Sequence, residues 1–558
     1  MTLNPKDLQE KLERDRREAE EADARRRAAK NLTPYLSLIS TTVPTEIEAM
    51  ALVPEERAKE ALLVPLQLVR KKLKVAVFDP TLKKTKEVLD ELRAKNYELI
   101  LYTSSLSGLK HIWEYYEYVG TQKEISGRVE IDQENLSSLA KEIKTFEDLA
   151  KKILSFDKPR VSELLEIMLA GALSLGASDI HLEPEKKRSV VRLRVDGVLH
   201  EIEKNFPISK YRSVVNRIKL LSNLKLNVKE EPQDGRFTIA LKNKNIEVRT
   251  SIIPSEYGEM AVLRVLDPES LKTDLSELGL RDDDFLILKK EIERPNGLIL
   301  NTGPTGSGKT TTLYAILKKL SNPGVKIITI EDPIEYHLEG ISQTQVRPEA
   351  KYTFASGLRS ILRQDPDVIL VGEIRDKETA EIAMNASLTG HLVLSTIHAN
   401  DAAGTLPRLI DLGANVQIIG PALNLIMAQR LVRVVCRRCK KETALSGAVR
   451  KKINEFVAGL PGRIDKTDLK NPRVYEAAGC KECAGTGYKG RISLFELLLV
   501  TKEVEGAIYK NPNEIEIKDL ARRQEMVTMQ EDGVIKVLLG KTSFEEVERL
   551  TGKIEWLH

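Results

Sequence analysis

The chain has 558 residues, which is enough for roughly three to four domains of the usual ~100–200 residues each and for several hydrophobic cores. Its 87 Lys and Arg residues nearly balance its 83 Asp and Glu residues, so no general basic field favours nucleic acid as a partner. No apolar run approaches the ~18 residues of a membrane span, and the charged N-terminus lacks a signal peptide's apolar stretch, so the sequence predicts a cytosolic protein.

The first 31 residues are dense in charge and nearly free of large apolar side chains. This composition is typical of a solvated helix or a disordered arm, and it suits either a solubilising tail or a docking segment for a partner. Residues 32–120 alternate helix-like and strand-like stretches and predict a small α/β domain. The polar residues 121–158 then predict a linker that contains a helix.

Residues 159–270 predict a second N-terminal domain of α+β type. It opens with a mostly apolar helix candidate at 161–175. Apolar and polar residues alternate over 190–199 around Asp196 and Gly197, which predicts a half-exposed strand and a turn. The segments 246–252 and 260–266 predict a further strand pair.

A glycine-rich segment, Gly-Pro-Thr-Gly-Ser-Gly-Lys-Thr at 303–310, lies between an apolar strand candidate and a helix candidate at 311–320. Its glycines allow a backbone whose N–H groups converge on one anion, and the helix adds its positive end. Lys309 is expected to reach the β- and γ-phosphates, and the Thr310 hydroxyl suits Mg²⁺. The alternative is a glycine-rich loop without function. The predicted nucleotide-binding residues of the loop are Gly303, Pro304, Thr305, Gly306, Ser307, Gly308, Lys309, Thr310 and Thr311.

Two buried-strand patterns that end in acidic residues follow the loop. The first, 327–335, carries Glu331, Asp332 and Glu335, and the second, 368–376, carries Glu373. Acids at the tip of a central strand are expected beside the phosphates, so Glu331 and Asp332 are predicted to contact the nucleotide. The second fits a Walker B element, whose acid holds Mg²⁺ directly or through water. Each acid alone could be a solvated strand end, but together they favour a nucleotide hydrolase. Residues 271–558 are therefore predicted to form a RecA-like domain, a parallel sheet with helices on both faces, that ends in a helical tail.

The only four cysteines of the sequence form two Cys-x-x-Cys pairs. Such pairs can supply four thiolates to a tetrahedral Zn²⁺ at ~2.3 Å per Zn–S bond. In a cytosolic protein structural zinc is favoured over paired disulfides or free thiols. The predicted zinc ligands are Cys436, Cys439, Cys480 and Cys483, in a subdomain at about 430–492.

These motifs together resemble the secretion ATPase superfamily (GspE/PulE family), the hexameric motors of type IV pilus assembly and type II secretion, and they are most like its pilus assembly members. Four family elements are present: the Walker A loop, an Asp box at 328–335, the Walker B stretch with Glu373, and a His box at 388–400. The segments 178–184 and 233–236 resemble the family's second N-terminal domain. Residues 44–120 are similar to its first N-terminal domain.

The resemblance implies roles for individual residues. Glu335 would polarise the attacking water, and Glu373 would serve the metal and the water shell. His391 and His398 would sense the γ-phosphate and the subunit interface, although a satisfied core histidine is an open alternative for His391. Arginines would line the nucleotide or the subunit boundary; they are Arg236, Arg249, Arg359, Arg363 and Arg375. A surface ion pair is the alternative for Arg359 and Arg363.

The resemblance also implies an activity and its partners. We expect a homohexamer that hydrolyses ATP with Mg²⁺ and drives pilin polymerisation through an inner-membrane platform protein, peripherally at the cytoplasmic side of the membrane. The type II secretion motor is the alternative, and a nucleotide-binding scaffold or a nucleic-acid translocase is less favoured. The tetracysteine insert resembles that of extension and secretion motors. The cyclic di-GMP motif of some relatives is not found, so regulation by that nucleotide is not expected.

Overall fold

The structure is a computed structural model that describes residues 5–39, 45–119, 128–130, 138–139, 142–155, 161–241, 245–267, 273–470 and 472–557. Much of the predicted linker, namely 121–127, 131–137, 140–141 and 156–158, lies outside the described residues. Two compact units divide between Leu266 and Asp267. Within the described ranges, no helix combines the length and the apolar character that crossing a membrane requires.

The first unit begins with a small three-stranded sheet, ordered β1-β2-β3. Its strands are β1 (Leu63–Val69), β2 (Lys72–Val77) and β3 (Glu98–Thr103). The first two are antiparallel, whereas β3 runs parallel to β2, so the chain crosses over through the helix Lys83–Ala94. Three shorter helices pack nearby: Ile47–Met50, Glu55–Glu60 and Leu106–Trp113. This is the α/β texture that the sequence predicts for residues 32–120.

The charged N-terminal segment forms the helix Pro5–Lys30, one of the two forms that the sequence left open. Its C-terminal part packs on the small sheet rather than standing free in solvent. Ala24 and Ala28 are buried, and the Arg27 guanidinium donates to the carbonyl of Phe78. The backbone N–H of Ser107 donates to Glu20 at 3.1 Å. The helix is therefore part of the first folded unit, and not only a charged arm.

A seven-stranded sheet completes the first unit, in the order β4-β8-β9-β10-β5-β6-β7. Its strands are β4 (Arg128–Glu130), β5 (Ala177–Pro184), β6 (Ser189–Val195), β7 (Val198–Phe206), β8 (Gln233–Ala240), β9 (Asn245–Ser255) and β10 (Gly258–Leu266). The helices of this part are Phe146–Leu154, Val161–Ser174 and Ile208–Leu221. The predicted turn is confirmed, since Asp196 and Gly197 both have positive φ between β6 and β7.

The second unit is built on another seven-stranded sheet, ordered β13-β12-β14-β15-β11-β16-β19. The strands are β11 (Gly297–Thr302), β12 (Ile327–Glu331), β13 (Ser342–Gln345), β14 (Val368–Val371), β15 (Leu392–Ile397), β16 (Leu423–Val435) and β19 (Tyr488–Leu499); the short strands β17 (Lys441–Glu442) and β18 (Tyr475–Glu476) pair separately. All neighbours are parallel except β16 and β19. The chain ends of β12, β14, β15 and β11 therefore meet at one carboxyl edge, where open α/β sheets bind ligands.

Helices cover both faces of this sheet, as the sequence predicts for a RecA-like domain. The helices Asp282–Ile292 and Lys309–Leu320 share one apolar layer with Ile299 of β11. The helices Phe354–Ile361 and Lys377–Leu388 share the other layer with Leu298. Further helices of the second unit are Thr405–Asp411, Val416–Ala422, Gly447–Gly459, Lys502–Ile508, Glu514–Arg523, Met529–Leu538 and Phe544–Thr551. The last four form the predicted helical tail.

Candidate nucleotide site and four-cysteine centre

The glycine-rich segment is a tight loop between β11 and the helix Lys309–Leu320. Gly303 and Gly308 have φ of 145° and 89°, in the region that favours glycine. A Cβ on Gly303 would collide with the carbonyl oxygen of Gln429, and one on Gly308 would lie 2.9 Å from Gln429 Nε2. The loop therefore needs glycine for two reasons, its backbone conformation and the closeness of β16.

The loop also fits a polyphosphate chemically. Lys309 Nζ donates to the carbonyls of Gly303 and Pro304 at 2.7 and 3.1 Å, so the ammonium is already folded across the loop. Burial lowers the pKa of Lys309, while the charge of Glu373 opposes this. Ser307 Oγ is buried and makes no hydrogen bond within the described part of the chain. Pro304, Thr305 and Gly306 are exposed, and Thr310 and Thr311 are half-buried at the start of the helix.

Glu373 is the centre of a charged cluster at the carboxyl edge of the sheet. It follows β14 and is only 15% exposed. Arg375 Nη2 lies 2.5 Å from Glu373 Oε1, and Arg375 Nη1 lies 4.0 Å from Asp332 Oδ2, after β12. His398 Nε2, after β15, lies 3.7 Å from Glu373 Oε2. The pKa of Arg375 is raised by its hydrogen bond to Glu373. The structure thus brings together Asp332, Glu373, Arg375 and His398, which sequence reasoning had assigned to one site.

Hydrogen bonds from the Thr302 hydroxyl and from the backbone hold these strand ends beside one another. Thr302, the last residue of β11, donates from Oγ1 to the carbonyl of Ile397 at 3.0 Å and accepts from the N–H of Ala399 at 2.8 Å. The N–H of Ile374 donates to the carbonyl of Thr396 at 2.8 Å. His398 is therefore fixed between the phosphate loop and the Walker B strand, although its side chain is 53% exposed. The Thr310 hydroxyl and the Glu373 carboxylate supply oxygen ligands of the type that Mg²⁺ prefers.

His391 does not join this cluster. It precedes β15, whereas His398 follows it, so the two histidines lie at opposite edges of the sheet. The seven residue steps between them, along β15, correspond to roughly 23 Å at ~3.3 Å per residue. His391 Nδ1 lies 3.0 Å from the carbonyl of Ala386 instead. The structure therefore places His391 away from the phosphate loop of the same chain, and its predicted role at the nucleotide or the subunit interface stays a prediction.

The Glu331 side chain is buried inside the protein, although the sequence predicted that it contacts the nucleotide. Its carboxylate is 3% exposed and accepts hydrogen bonds from the Tyr314 hydroxyl, from Thr329 Oγ1 at 2.6 Å and from Gln343 Nε2 at 3.2 Å. Burial raises the pKa of Glu331, and these three donors oppose the rise. We call Tyr314, Thr329, Glu331 and Gln343 the Glu331 cluster. Sequence reasoning assigned Glu331 to the nucleotide, but its side chain is engaged inside the protein.

The Glu331 cluster anchors the segment that carries Glu335. The backbone of Glu335 hydrogen-bonds to the Tyr314 hydroxyl, and the Tyr336 ring meets the Tyr314 ring edge-on at 4.7 Å. The N–H of Leu338 donates to Gln343 Oε1 at 2.7 Å. Tyr314 belongs to the helix that begins in the phosphate loop, so that helix and the segment of Glu335 are joined directly. Sequence reasoning missed Tyr314, whose only local signal was a tyrosine in an otherwise aliphatic helix face.

The remaining predicted arginines lie elsewhere. Arg359 Nη2 pairs with Glu378 Oε1 at 2.5 Å on an exposed surface, and Arg363 Nη1 donates to the Arg359 carbonyl at 2.9 Å. Neither is bonded to the Glu373 cluster, and Arg359 matches the surface-pair alternative. Arg236 and Arg249 face each other across β8 and β9 in the first unit, 3.7 and 3.4 Å from Glu247. Their predicted role at the nucleotide stays a prediction.

The four cysteines converge at the far end of the β16 and β19 pair. Cys436 follows β16 directly, and Cys483 precedes β19. Their sulfurs all lie within 4.8 Å of one another, with separations of 3.9 Å (Cys436 to Cys480), 3.8 Å (Cys439 to Cys483) and 3.7 Å (Cys480 to Cys483). A tetrahedron with Zn–S bonds of ~2.3 Å has edges of ~3.8 Å, whereas a disulfide needs ~2.05 Å.

The hydrogen bonds around the cysteines also suit thiolate ligands. The N–H groups of Cys480 and Gly487 each donate to Cys483 Sγ at 3.2 Å. Donors of this kind orient metal-bound thiolates and stabilise their charge. The donor set and the spacing therefore fit a structural zinc ion, and they do not fit paired disulfides.

The parallel sheet, the phosphate loop after β11 and the acid after β14, which β15 separates from β11, define a P-loop ATPase of RecA-like fold. A likeness to a solved structure supports that fold: the X-ray structure of the ATPase DotB of Legionella pneumophila has a TM-score of 0.50 and 23% identity, covering 70% of this chain and 97% of that one. At this identity the likeness concerns the fold alone.

The chain belongs to the family described as Type II/IV secretion system protein, whose profile matches residues 155–549. It is 46% identical over 396 residues to Type II secretion system protein E of Pectobacterium carotovorum subsp. carotovorum, covering 71% of this chain and 76% of that protein. It is 37% identical over 507 residues to the type IV pilus assembly ATPase PilB of Myxococcus xanthus (strain DK1622), covering 90% of this chain and 86% of that protein. The resemblance drawn from the motifs is confirmed.

The comparisons correct one expectation. The type II secretion protein of Pectobacterium carotovorum is 46% identical to this chain, whereas the pilus ATPase of Myxococcus xanthus is 37% identical. From the sequence alone, pilus assembly was expected first and type II secretion second. The identities favour the opposite order, because the motifs are shared by both groups and do not distinguish them.

Proposed function

We propose that this chain is the ATPase of a type II secretion system, which converts the hydrolysis of ATP into mechanical work on a membrane-bound assembly. One observation carries the enzymatic part of the proposal: the Glu373 cluster lies at the same sheet edge as the phosphate loop, which Lys309 already crosses. The family match and the higher identity to type II secretion proteins support the assignment to a type II secretion system, the machine that this ATPase would drive.

The residues of the site have separable tasks. The loop N–H groups and the start of the helix Lys309–Leu320 bind the phosphates, and Lys309 exchanges the carbonyls of Gly303 and Pro304 for phosphate oxygens. Glu335 orients and polarises the attacking water, since phosphoryl transfer needs positioning more than covalent chemistry. Arg375 and His398 keep Glu373 in place from two sides.

Two metals complete the proposal. Mg²⁺ would be held by the Thr310 hydroxyl and, directly or through water, by Glu373, and it would neutralise charge on the phosphates. Zn²⁺ would be held by Cys436, Cys439, Cys480 and Cys483, and it would fix the excursion between β16 and β19 to the sheet.

The assembly is proposed from the family. We infer a homohexamer in which residues 159–270 form a domain that supplies Arg236 and Arg249 to the nucleotide, and residues 271–558 form the ATPase domain. We also infer binding to an inner-membrane platform protein from the cytoplasmic side. An arginine that arrives with domain closure stabilises transition-state charge, an effect of ~10³–10⁵ in rate in other phosphoryl-transfer systems.

Pilus assembly is the second candidate client. The alignment with the PilB protein of Myxococcus xanthus extends over 90% of this chain, whereas that with the Pectobacterium protein extends over 71%. The pilus ATPase therefore also resembles residues that precede the family match at residue 155.

Steady-state ATP hydrolysis by the purified full-length chain tests the enzymatic part. We expect Lys309→Ala to abolish nucleotide binding and Glu335→Gln to lower kcat by about 10²–10⁴ while ATP still binds. Glu339→Gln is the matched control, because Glu339 is an exposed acid in the same segment. Unchanged turnover in Glu335→Gln would show that another group activates the water. Solution mass with and without ATP measures the proposed hexamer.

The client is tested in cells that carry both machines. After deletion of the gene, we expect protein export to fail and to return with the wild-type copy but not with Glu335→Gln. Loss of surface pili with normal protein export would show instead that the protein drives pilus assembly.

A further inference from the structure

Gln429 lies on β16 directly beneath the phosphate loop, and its side chain is 1% exposed. Its amide oxygen accepts from Asn301 Nδ2 and from Thr312 Oγ1, both at 2.9 Å. Its amide nitrogen donates to Ser493 Oγ at 3.0 Å. One buried carboxamide therefore joins the strand before the loop, the helix after the loop and the antiparallel strand β19.

The same residue also contacts the loop glycines. The carbonyl oxygen of Gln429 occupies the space that a Cβ on Gly303 would need, and its Nε2 lies 2.9 Å from the position of a Cβ on Gly308. The first and the last glycine of the loop thus rest on Gln429. Because neither glycine has a side chain to interpose, a shift of Gln429 is passed to the loop backbone without a flexible buffer.

We propose that Gln429 is a positioning residue for ATP binding, which sets the shape of the phosphate loop and couples it to the β16 and β19 strand pair. The inference rests on the proposed function, since it assumes that the loop binds the nucleotide. Gln429 touches no substrate in this arrangement. It acts through Gly303, Gly308 and the first turn of the helix that ends the loop.

The coupling follows from the hydrogen-bond inventory of the amide. Its oxygen accepts from Asn301 and Thr312, one of its two N–H groups donates to Ser493, and these three residues are all buried. An apolar replacement leaves buried donors without a partner, and the chain relieves that by shifting the loop. Ser493 belongs to β19, which follows the cysteine cluster. A shift of β19 would therefore move the Gln429 amide and, through it, the phosphate loop.

Titration of the purified full-length chain with a fluorescent ATP analogue and Mg²⁺ tests the proposal. We expect Gln429→Met to weaken nucleotide affinity about tenfold or more, and to raise KM for ATP far more than it lowers kcat. Gln524→Met is the matched control, since Gln524 donates to the Leu499 carbonyl and to Thr501 away from the loop, and it should bind like the wild type. Thermal unfolding midpoints report the purely structural effect of each change.

The coupling itself is tested by a second substitution. Ser493→Ala should weaken nucleotide affinity several-fold in the wild type and have no further effect in Gln429→Met, because the amide carries the connection. Equal losses in both backgrounds would overturn the coupling. Wild-type affinity in folded Gln429→Met, or an equal loss in Gln524→Met, would overturn the positioning role.

Two controls separate the possible failures. Lys309→Ala is measured alongside. If Lys309→Ala also binds the analogue with wild-type affinity, the nucleotide site itself is misassigned. If Lys309→Ala does not bind the analogue while Gln429→Met binds it with wild-type affinity, only the inference about Gln429 is refuted. If Gln429→Met does not fold, Ser493→Ala decides the question alone. Its control is Ser387→Ala, a buried serine bonded to the Met384 carbonyl, and equal affinities for these two variants would refute the inference.

Discussion

Replacing Tyr314 with phenylalanine removes one hydroxyl from the Glu331 cluster and leaves the ring in place. The hydroxyl donates to the buried carboxylate of Glu331 and hydrogen-bonds to the backbone of Glu335. A hydrogen bond to a charged group contributes ~1.5–3 kcal/mol, and Thr329 and Gln343 remain as donors to Glu331. We therefore expect the free energy of unfolding to fall by about 2 kcal/mol.

The effect on catalysis should exceed the effect on binding. The segment of Glu335 loses its anchor on the helix Lys309–Leu320, and a displacement of ~1 Å in a catalytic group lowers rates by about 10²-fold. We expect kcat to fall about 10- to 100-fold, with KM for ATP changed by less than about twofold, because the phosphate loop itself is untouched. Steady-state kinetics and urea unfolding of the same preparations measure both quantities.

The control is Tyr352→Phe, which removes a hydroxyl that donates to Thr344 at 3.2 Å. Thr344 lies on β13, next to Gln343 of the Glu331 cluster. This bond joins neutral groups, so its loss should lower stability by ~0.5–1.5 kcal/mol without changing kcat. A Tyr314→Phe enzyme with wild-type kcat would refute the anchoring of Glu335. An equal fall of kcat in Tyr352→Phe would show that the effect is not specific to the Glu331 cluster.

Three further predictions concern other parts of the second unit. Burial raises the pKa of Glu496 to about 7 from an ordinary value of 4.5. Between these two pH values the folded state therefore binds more protons than the unfolded state, and the free energy of unfolding falls as pH rises. In urea unfolding measured from about pH 4.5 to 7, Glu496→Gln should lack this part of the pH dependence. Purified protein should contain about one zinc per chain by elemental analysis, and Cys439→Ser should lose it together with thermal stability; metal-free protein of unchanged stability would contradict the centre. His398→Ala should lower kcat, while His391→Ala should leave nucleotide affinity unchanged, and weaker binding in His391→Ala would contradict its place at the opposite sheet edge.

The sequence by itself determined the features whose chemistry is local. The spacing of Gly303, Gly306, Gly308 and Lys309 specifies a phosphate loop, because such a loop consists of one turn and the start of one helix. Two Cys-x-x-Cys pairs predict a cluster of four thiols with the spacing of a zinc site, since each pair supplies two ligands from a single turn. The buried strands β12 and β14 were equally readable from their apolar runs.

Only the tertiary structure decided which residues those devices contact. Both faces of a central parallel strand are buried, so no sequence pattern distinguished Glu331, which is bonded to Tyr314, from Glu373, which pairs with Arg375. His391 and His398 are close in sequence, yet the direction of β15 separates them across the sheet.

Gln429 shows the same limit most clearly. It is far from the loop in sequence and carries no motif that indicates a role there. Its position follows from the parallel pairing of β11 with β16 and the antiparallel pairing of β16 with β19. Contacts between distant segments depend on strand order and direction, which hydrophobic periodicity does not encode. The contacts of Gln429 with the phosphate loop could therefore be identified only from the tertiary structure.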